Sequence, residues 1–125
     1  MTFPLQEYLG FTIRRGEGSG TVGLELDERH LNPNGVAHGS VAFALMDTAM
    51  GSAVMSVIPD GSSCATIEIQ TRFHRPVRAG ALTAEATVLT AGHRVVHLQA
   101  RTVDSDGRLV ASATGSFAVI PPTGT

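Results

Sequence analysis

The chain has 125 residues, 42% of them hydrophobic, with nine basic and eleven acidic side chains that leave a net charge of −2 at neutral pH. This length fits one domain over residues 1–125, and the apolar content is too high and the charge too low for a disordered chain. The slightly acidic balance also excludes the basic excess that is typical of nucleic-acid-binding proteins, so we expect no nucleic acid partner.

The single cysteine, Cys64, allows no internal disulfide and no thiolate zinc cluster. The first residues lack the basic and then apolar pattern of a secretion signal, so a cytoplasmic protein is expected. Residues 36–58 are apolar over the length of a membrane span, but they contain His38 and Asp47. Because a carboxylate at the bilayer centre costs roughly 2.5–3.5 kcal/mol, we predict a buried helix of a globular domain and no membrane association.

The pattern of apolar and turn residues predicts a short helix, a hairpin, one long helix and four further strands. Pro4 favours the start of the short helix and Gly10 favours its end. The long helix is predicted from Gly39 or Ser40 to Val57. The short helix is predicted at residues 4–9 and the six strands at residues 11–14, 21–26, 65–74, 81–89, 94–103 and 108–120.

The strand at residues 65–74 alternates with a period of two, which predicts one apolar and one polar face. Short connections separate this strand and the three that follow it, so we expect antiparallel neighbours. One sheet has only one long helix to cover it, which predicts an α+β fold whose six-stranded antiparallel sheet curls around a helix buried nearly all round. The predicted polar face carries Thr66, Glu68, Gln70, Arg72 and His74.

Asp47 is the only charged side chain in residues 40–58. Its helical neighbours three and four positions away, which include Phe43 and Met50, offer neither a side-chain hydrogen bond nor a counter-charge. A buried carboxylate must find a partner elsewhere or take its neutral form, and such a group in a cleft is a candidate general base or nucleophile. A structural role, in which Asp47 caps another element or pairs with an arginine of the sheet, is equally open on this evidence.

The predicted helix begins at His38-Gly39-Ser40, and the N–H groups of a first helical turn have no partners within the helix. These N–H groups lie at the positive end of the helix dipole, and a glycine lets a ligand approach them closely, so Gly39 is a candidate oxyanion donor. The alternative is a plain helix-start glycine. Asp47 lies about 12 Å further along the helix, so a second copy of the chain is expected to supply one of the two groups.

Residues 30–51, HLNPNGVAHGSVAFALMDTAMG, resemble the signature of hotdog-fold acyl-CoA thioesterases of the phenylacetic acid degradation type, within the 4-hydroxybenzoyl-CoA thioesterase superfamily. That signature runs Asn, Gly, His-Gly-Gly and then Asp eight residues after the first glycine of the pair. Residues 66–80 and 106–111 are also similar to this family, so the resemblance covers nearly the whole chain. It implies a hotdog fold and hydrolysis of an acyl-CoA thioester, which needs water but no cofactor. No set of His, Asp and Glu residues in the sequence has metal-ligand spacing, so we also expect no metal.

The resemblance also implies roles for individual residues. Asp47 would be the general base or nucleophile, the Gly39 N–H would polarise the thioester carbonyl, and Asn32 would orient water or the thioester. Thr66 would hold the water or Asp47, and His38 would contact the substrate near the carbonyl or shape the loop. In the family the Asp and the strand hydroxyl come from one subunit and the Gly and Asn from its dimer mate, which implies a homodimer and, further, a tetramer as a dimer of dimers.

Ser40 stands where the family commonly has the second glycine, and we expect it to be tolerated if its backbone is helical. Cys64 has no sequence feature that would activate it, so an inert buried thiol is expected. Arginine forks suit the phosphates of CoA, although for any single arginine a solvated strand face is the simpler interpretation. The candidates for CoA contact are Arg72, His74, Arg75 and Arg94, with Arg75 and Arg94 first.

Two other functions stay open. One is a hotdog dehydratase or hydratase of 3-hydroxyacyl thioesters, in which His38 and Asp47 would form the acid–base pair. The other is a non-catalytic acyl-CoA-binding module, although Asp47 is present and the chain carries no DNA-binding appendage. The sequence does not specify the acyl group.

Overall fold

The structure is a computed structural model that describes residues 1–123. It confirms the predicted order of elements. Gly10 ends the first helix in the left-handed conformation, with φ of 84°, and Ser56 ends the long helix close to the predicted position. The elements are α1 (Pro4–Leu9), β1 (Thr12–Gly16), β2 (Ser19–Glu25), a 3-10 turn (Glu28–His30), α2 (Gly39–Met55), β3 (Ser63–Phe73), β4 (Ala81–Ala91), β5 (Val95–Val103) and β6 (Leu109–Ile120).

The six strands form a single antiparallel sheet in the order β1-β2-β4-β5-β6-β3, which confirms the predicted fold class. The expectation that β3 and β4 are neighbours is wrong, because β3 pairs with β6 and β4 lies between β2 and β5. The connection over residues 74–80 runs from edge strand β3 past β6 and β5 to β4. Within this connection, the Val77 carbonyl accepts the N–H of Ala37 at 2.7 Å. The two edges of the sheet are therefore β1 and β3.

Helix α2 contacts all six strands, as expected for a sheet that curls around it. Gly20 of β2 lies so close to the helix that a Cβ there would collide with the Ala49 carbonyl oxygen. The prediction of a helix buried nearly all round is wrong for the single chain, since one side of α2 is only half-covered and Phe43 is 38% exposed. This open stripe of α2 consists of Phe43, Ala44, Asp47, Thr48 and Gly51.

Strand β3 contains a β-bulge at Ile67. Thr66 lies opposite Phe117 of β6 and Glu68 lies opposite Ser116, so Ile67 has no partner in the ladder. Residues that face each other across a ladder point to the same side of the sheet, and Phe117 is buried on the inner side against α2. The prediction that Thr66 shares a face with Glu68 is therefore wrong, because the extra residue turns Thr66 inward.

The space between α2 and the sheet is filled by aliphatic side chains such as Leu45, Met46 and Leu82, which are fully buried. Within residues 1–123, no helix is long and apolar enough to cross a membrane. The same part of the chain contains no group of three or more His, Cys, Asp or Glu side chains placed to hold a metal ion.

Candidate active site

Asp47 lies half-buried on the open stripe of α2 and is bonded to β3. The Thr66 hydroxyl donates a hydrogen bond of 2.8 Å to Asp47 Oδ1. Within the described part of the chain no arginine or histidine forms an ion pair with this carboxylate. A partner from the sheet is thus present, but it is a neutral hydroxyl and not the arginine of the structural alternative. One carboxylate oxygen is held in place, and the other can accept a proton from water or attack a carbonyl carbon.

The start of α2 forms the second part of the site. His38 is the N-cap residue, with an extended backbone (φ −62°, ψ 138°), and its Nδ1 accepts the N–H of Ser40 at 3.0 Å. Ser40 has a negative φ and is an ordinary helical residue, which meets the condition under which we expect a serine to be tolerated there. The N–H of Gly39 donates to no acceptor within residues 1–123. It therefore points outward from the positive end of the helix and can receive a developing negative charge.

Phe73, at the end of β3, lies against Gly39. A Cβ on Gly39 would come within 3.2 Å of Phe73 Cζ, so the aromatic ring occupies the space that a side chain would need. The ring is nevertheless 58% exposed, and it forms one wall of a cleft of about 340 Å³ that also includes His38 and Arg75. Phe73 could not be identified from the sequence, because the alternation puts it on an apolar face and no local pattern indicates its contact with Gly39.

Asn32 folds the loop that leads into α2. Its Oδ1 accepts the backbone N–H groups of Asn34 at 2.9 Å and of Val36 at 3.3 Å. Its own backbone N–H donates to the Val36 carbonyl at 2.7 Å. Because the side-chain oxygen is used within the loop, the amide NH2 is the part of Asn32 that can meet a water molecule or a thioester oxygen.

The two parts of the site do not meet within one chain. Asp47 and Gly39 are separated by about 12 Å, two turns of α2, and their strand neighbours Thr66 and Phe73 lie in opposite halves of β3. His38 Nδ1 is engaged by Ser40, and no hydrogen bond or ion pair joins His38 to Asp47 in the described residues. The His–Asp pair of the dehydratase alternative is therefore not formed within a single chain.

The four candidates for CoA contact fall in three places. His74 and Arg75 line the cleft beside His38, and His74 Nε2 lies 2.8 Å from Ser112 Oγ. Arg72 lies on the outer face of the sheet, away from this cleft, in a depression of about 560 Å³. Arg94 lies in the turn before β5, at the end of the sheet where β3 begins. Within one chain these side chains do not form a single basic cluster.

Cys64 lies on β3 beside the Asp47–Thr66 pair. It is half-buried and not fully buried as expected, and its Sγ is 4.0 Å from the Gly51 carbonyl oxygen. Burial raises the pKa of the thiol, the negative charge of Asp47 raises it further, and Arg15 partly offsets both effects. The thiol is therefore a weak nucleophile that lies within electrostatic reach of Asp47.

Comparison with known proteins identifies the family of this chain. Residues 34–111, more than half of the chain, match the family model described as the thioesterase superfamily. A Saccharolobus solfataricus protein provisionally named an esterase is 30% identical over 108 residues, which cover 86% of this chain and 76% of that protein.

Two solved structures extend the comparison over nearly the whole chain. A thioesterase of Haemophilus influenzae superimposes with a TM-score of 0.90 and 27% identity, over 96% of this chain and 85% of its own. A mutant form of the phenylacetic acid degradation protein of Thermus thermophilus gives a TM-score of 0.85 and 28% identity, over 93% and 98% of the two chains. The chain thus belongs to the thioesterase superfamily, and it is a hotdog-fold thioester hydrolase.

Proposed function

We propose that the protein hydrolyses an acyl-CoA thioester to a free acid and CoA, with Asp47 as the catalytic carboxylate. The main support is the 2.8 Å hydrogen bond from the Thr66 hydroxyl, which fixes Asp47 on the open stripe of α2. Asp47 is the one charged side chain of that helix. As a general base, Asp47 takes a proton from the water that attacks the carbonyl carbon. As a nucleophile, it attacks that carbon itself, and water then opens the resulting anhydride. On both routes the C–S bond breaks and CoA leaves as a thiolate that takes up a proton.

The start of α2 supports the other half of the reaction. The N–H of Gly39 donates to the carbonyl oxygen as it gains negative charge, and the NH2 group of Asn32 orients the water or the thioester. Since His38 Nδ1 accepts a hydrogen bond from Ser40, the ring proton lies on Nε2, which can contact the substrate near the carbonyl. A single donor of this kind contributes about 10²–10³ in rate in other enzymes.

The exposed edge of β3 supports a dimer with shared sites. This edge strand is eleven residues long, and its apolar side chains Ile67 and Phe73 are 56% and 58% exposed. A long, exposed apolar edge strand is a ready template for pairing with another chain. Antiparallel pairing of two β3 strands about a twofold axis at Gln70, with the bulge residue Ile67 left out of the ladder, would set Thr66 opposite the partner's Phe73 on the inner side of the sheet. That pairing brings Asp47 of one subunit towards the Gly39 end of the other, so each site is built from two chains.

A mixing experiment tests the shared site. The variant Asp47→Asn removes the carboxylate, and Gly39→Pro removes the N–H at a position where proline suits both the helix start and the extended backbone of His38, with Gly39→Ala as the control for the added bulk. Each variant alone should keep at most about a hundredth of wild-type activity. Refolded together in equal amounts, they should regain about a quarter of wild-type activity, because half of the dimers are mixed and each mixed dimer has one intact site of two. No recovery from two folded variants would place both groups of a site in one chain.

Hydrolysis itself is tested with a panel of acyl-CoA thioesters, by following the release of CoA thiol. The panel should include aromatic, medium-chain and hydroxylated acyl groups. Asp47→Asn should lower kcat by about 10²–10⁴ on the best substrate while the circular dichroism spectrum stays unchanged. Full activity in this variant would remove Asp47 from the mechanism. A single turnover in ¹⁸O water then separates the two routes, because only the nucleophilic route can leave label in the Asp47 side chain.

The phosphates of CoA are proposed to contact Arg72, His74, Arg75 and Arg94, with Arg75 in the cleft beside Gly39 as the best-placed member. In the proposed dimer, the Arg94 end of β3 in one subunit lies beside the Arg75 end of the other. We further propose that residues 1–125 act as one thioesterase domain, of which residues 124–125 lie outside the described part of the chain. We place the protein in the cytoplasm, as a dimer or as a tetramer made of two such dimers.

A further inference from the structure

His30 is the most deeply buried polar side chain near the site, and nothing in the proposed mechanism uses it. The residue is 1% exposed. Its Nδ1 accepts the backbone N–H of Asp27 at 2.9 Å, and its Nε2 lies 2.7 Å from the Leu9 carbonyl oxygen. With Nδ1 as an acceptor, the ring proton lies on Nε2 and is donated to Leu9. The imidazole therefore joins the end of α1 to the 3-10 turn through both of its nitrogens.

The backbone of His30 connects this buried ring to the start of α2. Its carbonyl oxygen accepts the N–H of His38 at 2.8 Å, and the adjacent bridge between Leu31 and Ala37 closes the loop that contains Asn32. His38 is the N-cap residue of α2, and the next residue is Gly39. The position of His30 therefore fixes the chain at the residue immediately before the Gly39 N–H.

We propose that His30 is a positioning residue for the oxyanion donor: its ring holds the 3-10 turn so that the His30 carbonyl aligns His38 and the N–H of Gly39 with the thioester. This inference rests on the proposed role of Gly39. An oxyanion donor is effective only when it is held in place before the charge develops, and small displacements of catalytic groups lower rates strongly. A buried imidazole bonded at both nitrogens restricts the loop far more than an aliphatic side chain of similar size would.

Three variants separate the two bonds of the ring. His30→Gln keeps a donor at the Nε2 position for Leu9, His30→Asn keeps an acceptor at the Nδ1 position for Asp27, and His30→Leu keeps neither. We expect His30→Leu to lower kcat by about tenfold to a hundredfold with KM changed less than about threefold, because the loss of both hydrogen bonds displaces the donor and not the CoA contacts. The two amide variants should each recover part of the lost kcat.

Arg29→Ala is the matched control. Arg29 Nη1 donates to the Tyr8 carbonyl at 2.7 Å, so this neighbouring side chain joins the same two segments but lies exposed and away from His38. The control should lower the melting temperature and leave kcat unchanged. If Arg29→Ala and His30→Leu lowered kcat equally, the effect of His30 would be one of general stability and the proposal would be wrong.

A double-mutant cycle with Gly39→Pro tests whether His30 acts through Gly39. If His30 acts by positioning the Gly39 N–H, His30→Leu should lower kcat only slightly in the Gly39→Pro background, where that N–H is absent. If the two residues act independently, the two reductions in kcat should multiply. If His30→Leu does not fold, His30→Asn takes its place in the cycle. Multiplicative effects would overturn the positioning role. Wild-type kcat in Gly39→Pro alone would instead overturn the proposed role of Gly39, so the two failures can be distinguished.

Discussion

Thr66 and Asp47 are nineteen residues apart in the sequence, and they meet in a hydrogen bond of 2.8 Å because the bulge at Ile67 turns Thr66 towards α2. A regular strand would place Thr66 on the outer face beside Glu68, and its hydroxyl would then point away from Asp47. The bulge therefore sets the geometry of the proposed catalytic carboxylate.

Removal of this hydroxyl should reduce catalysis without removing Asp47. Thr66→Val has nearly the same shape but cannot donate, and we expect kcat to fall about tenfold to a hundredfold, since a hydrogen bond to a charged group is worth about 1.5–3 kcal/mol. Thr66→Ser keeps the hydroxyl and should stay within a few-fold of wild type. Steady-state kinetics on the best acyl-CoA provide the measurement, and a fully active valine variant would contradict the role of Thr66.

The Gly39 N–H is tested by two substitutions that both add a Cβ against Phe73, of which only one keeps the N–H. Gly39→Ala retains the N–H and adds a Cβ at 3.2 Å from Phe73 Cζ, which the exposed ring can relieve by moving. Gly39→Pro lacks the N–H, and kcat should fall by about 10²–10³ against a modest effect in the alanine variant. Equal kcat values in the two variants would show that the N–H is not the oxyanion donor.

Arg75 is expected to bind the nucleotide end of CoA. Arg75→Ala should raise KM for an acyl-CoA by several-fold to about tenfold, and high salt should reduce the difference between variant and wild type. Arg14→Ala, an exposed arginine on the opposite edge strand β1, is the control. The same acyl group on pantetheine lacks the nucleotide phosphates, and its KM should not respond to Arg75→Ala. A response there would assign Arg75 to another part of the substrate.

The thiol of Cys64 should report on the charge of Asp47. Burial and the neighbouring carboxylate raise the pKa of Cys64, so alkylation by iodoacetamide at neutral pH should be slow and should accelerate only in alkaline solution. Asp47→Asn removes one of the two causes, and the alkylation profile should shift to lower pH. Mass spectrometry of the modified peptide gives the rates. An unshifted profile would mean that the two groups do not interact.

Asp104 should stabilise the turn between β5 and β6 at neutral pH and not in acid. The pKa of its carboxyl is lowered chiefly by the backbone N–H of Arg108, and also by the N–H of Asp106 and the Arg108 guanidinium, against an opposing effect of burial. A carboxyl group with a lowered pKa in the folded protein contributes to stability. This contribution is complete at pH values above the pKa of the unfolded chain, which is about 3.9, and it is lost as the pH falls through the pKa of the folded protein.

Asp104→Asn should therefore lower the melting temperature at pH 7, and the difference from wild type should shrink as the pH is lowered below about 4. The asparagine can still accept the two backbone N–H groups, so the lost part is the charged contact with the Arg108 guanidinium. Thermal melts of wild type and Asp104→Asn across this pH range provide the test. A difference in melting temperature that stays constant as the solution becomes acidic would show that the charge of Asp104 is not the source of the stability.

Local signals predicted the elements well, because Pro4, Gly10 and Gly39 each act on the backbone around them. The bulge at Ile67 and the contact of Phe73 with Gly39 could not be predicted, since both depend on which strand and which helix turn lie opposite. The same holds for the pairing of β3 with β6. At His30 the sequence does carry a local signal, since Asp27 and His30 form a capping box in which histidine replaces the usual glutamate.

The unpaired edge of β3 has a consequence for how activity depends on the amount of protein. If each site needs two chains, dilution below the dissociation constant of the dimer leaves folded monomers whose sites are incomplete and which do not hydrolyse the thioester. Specific activity should then rise with protein concentration and level off, instead of staying constant as in a monomeric enzyme. A cell that makes few copies of this chain would hydrolyse disproportionately little thioester, so expression level itself would act as a threshold on the reaction.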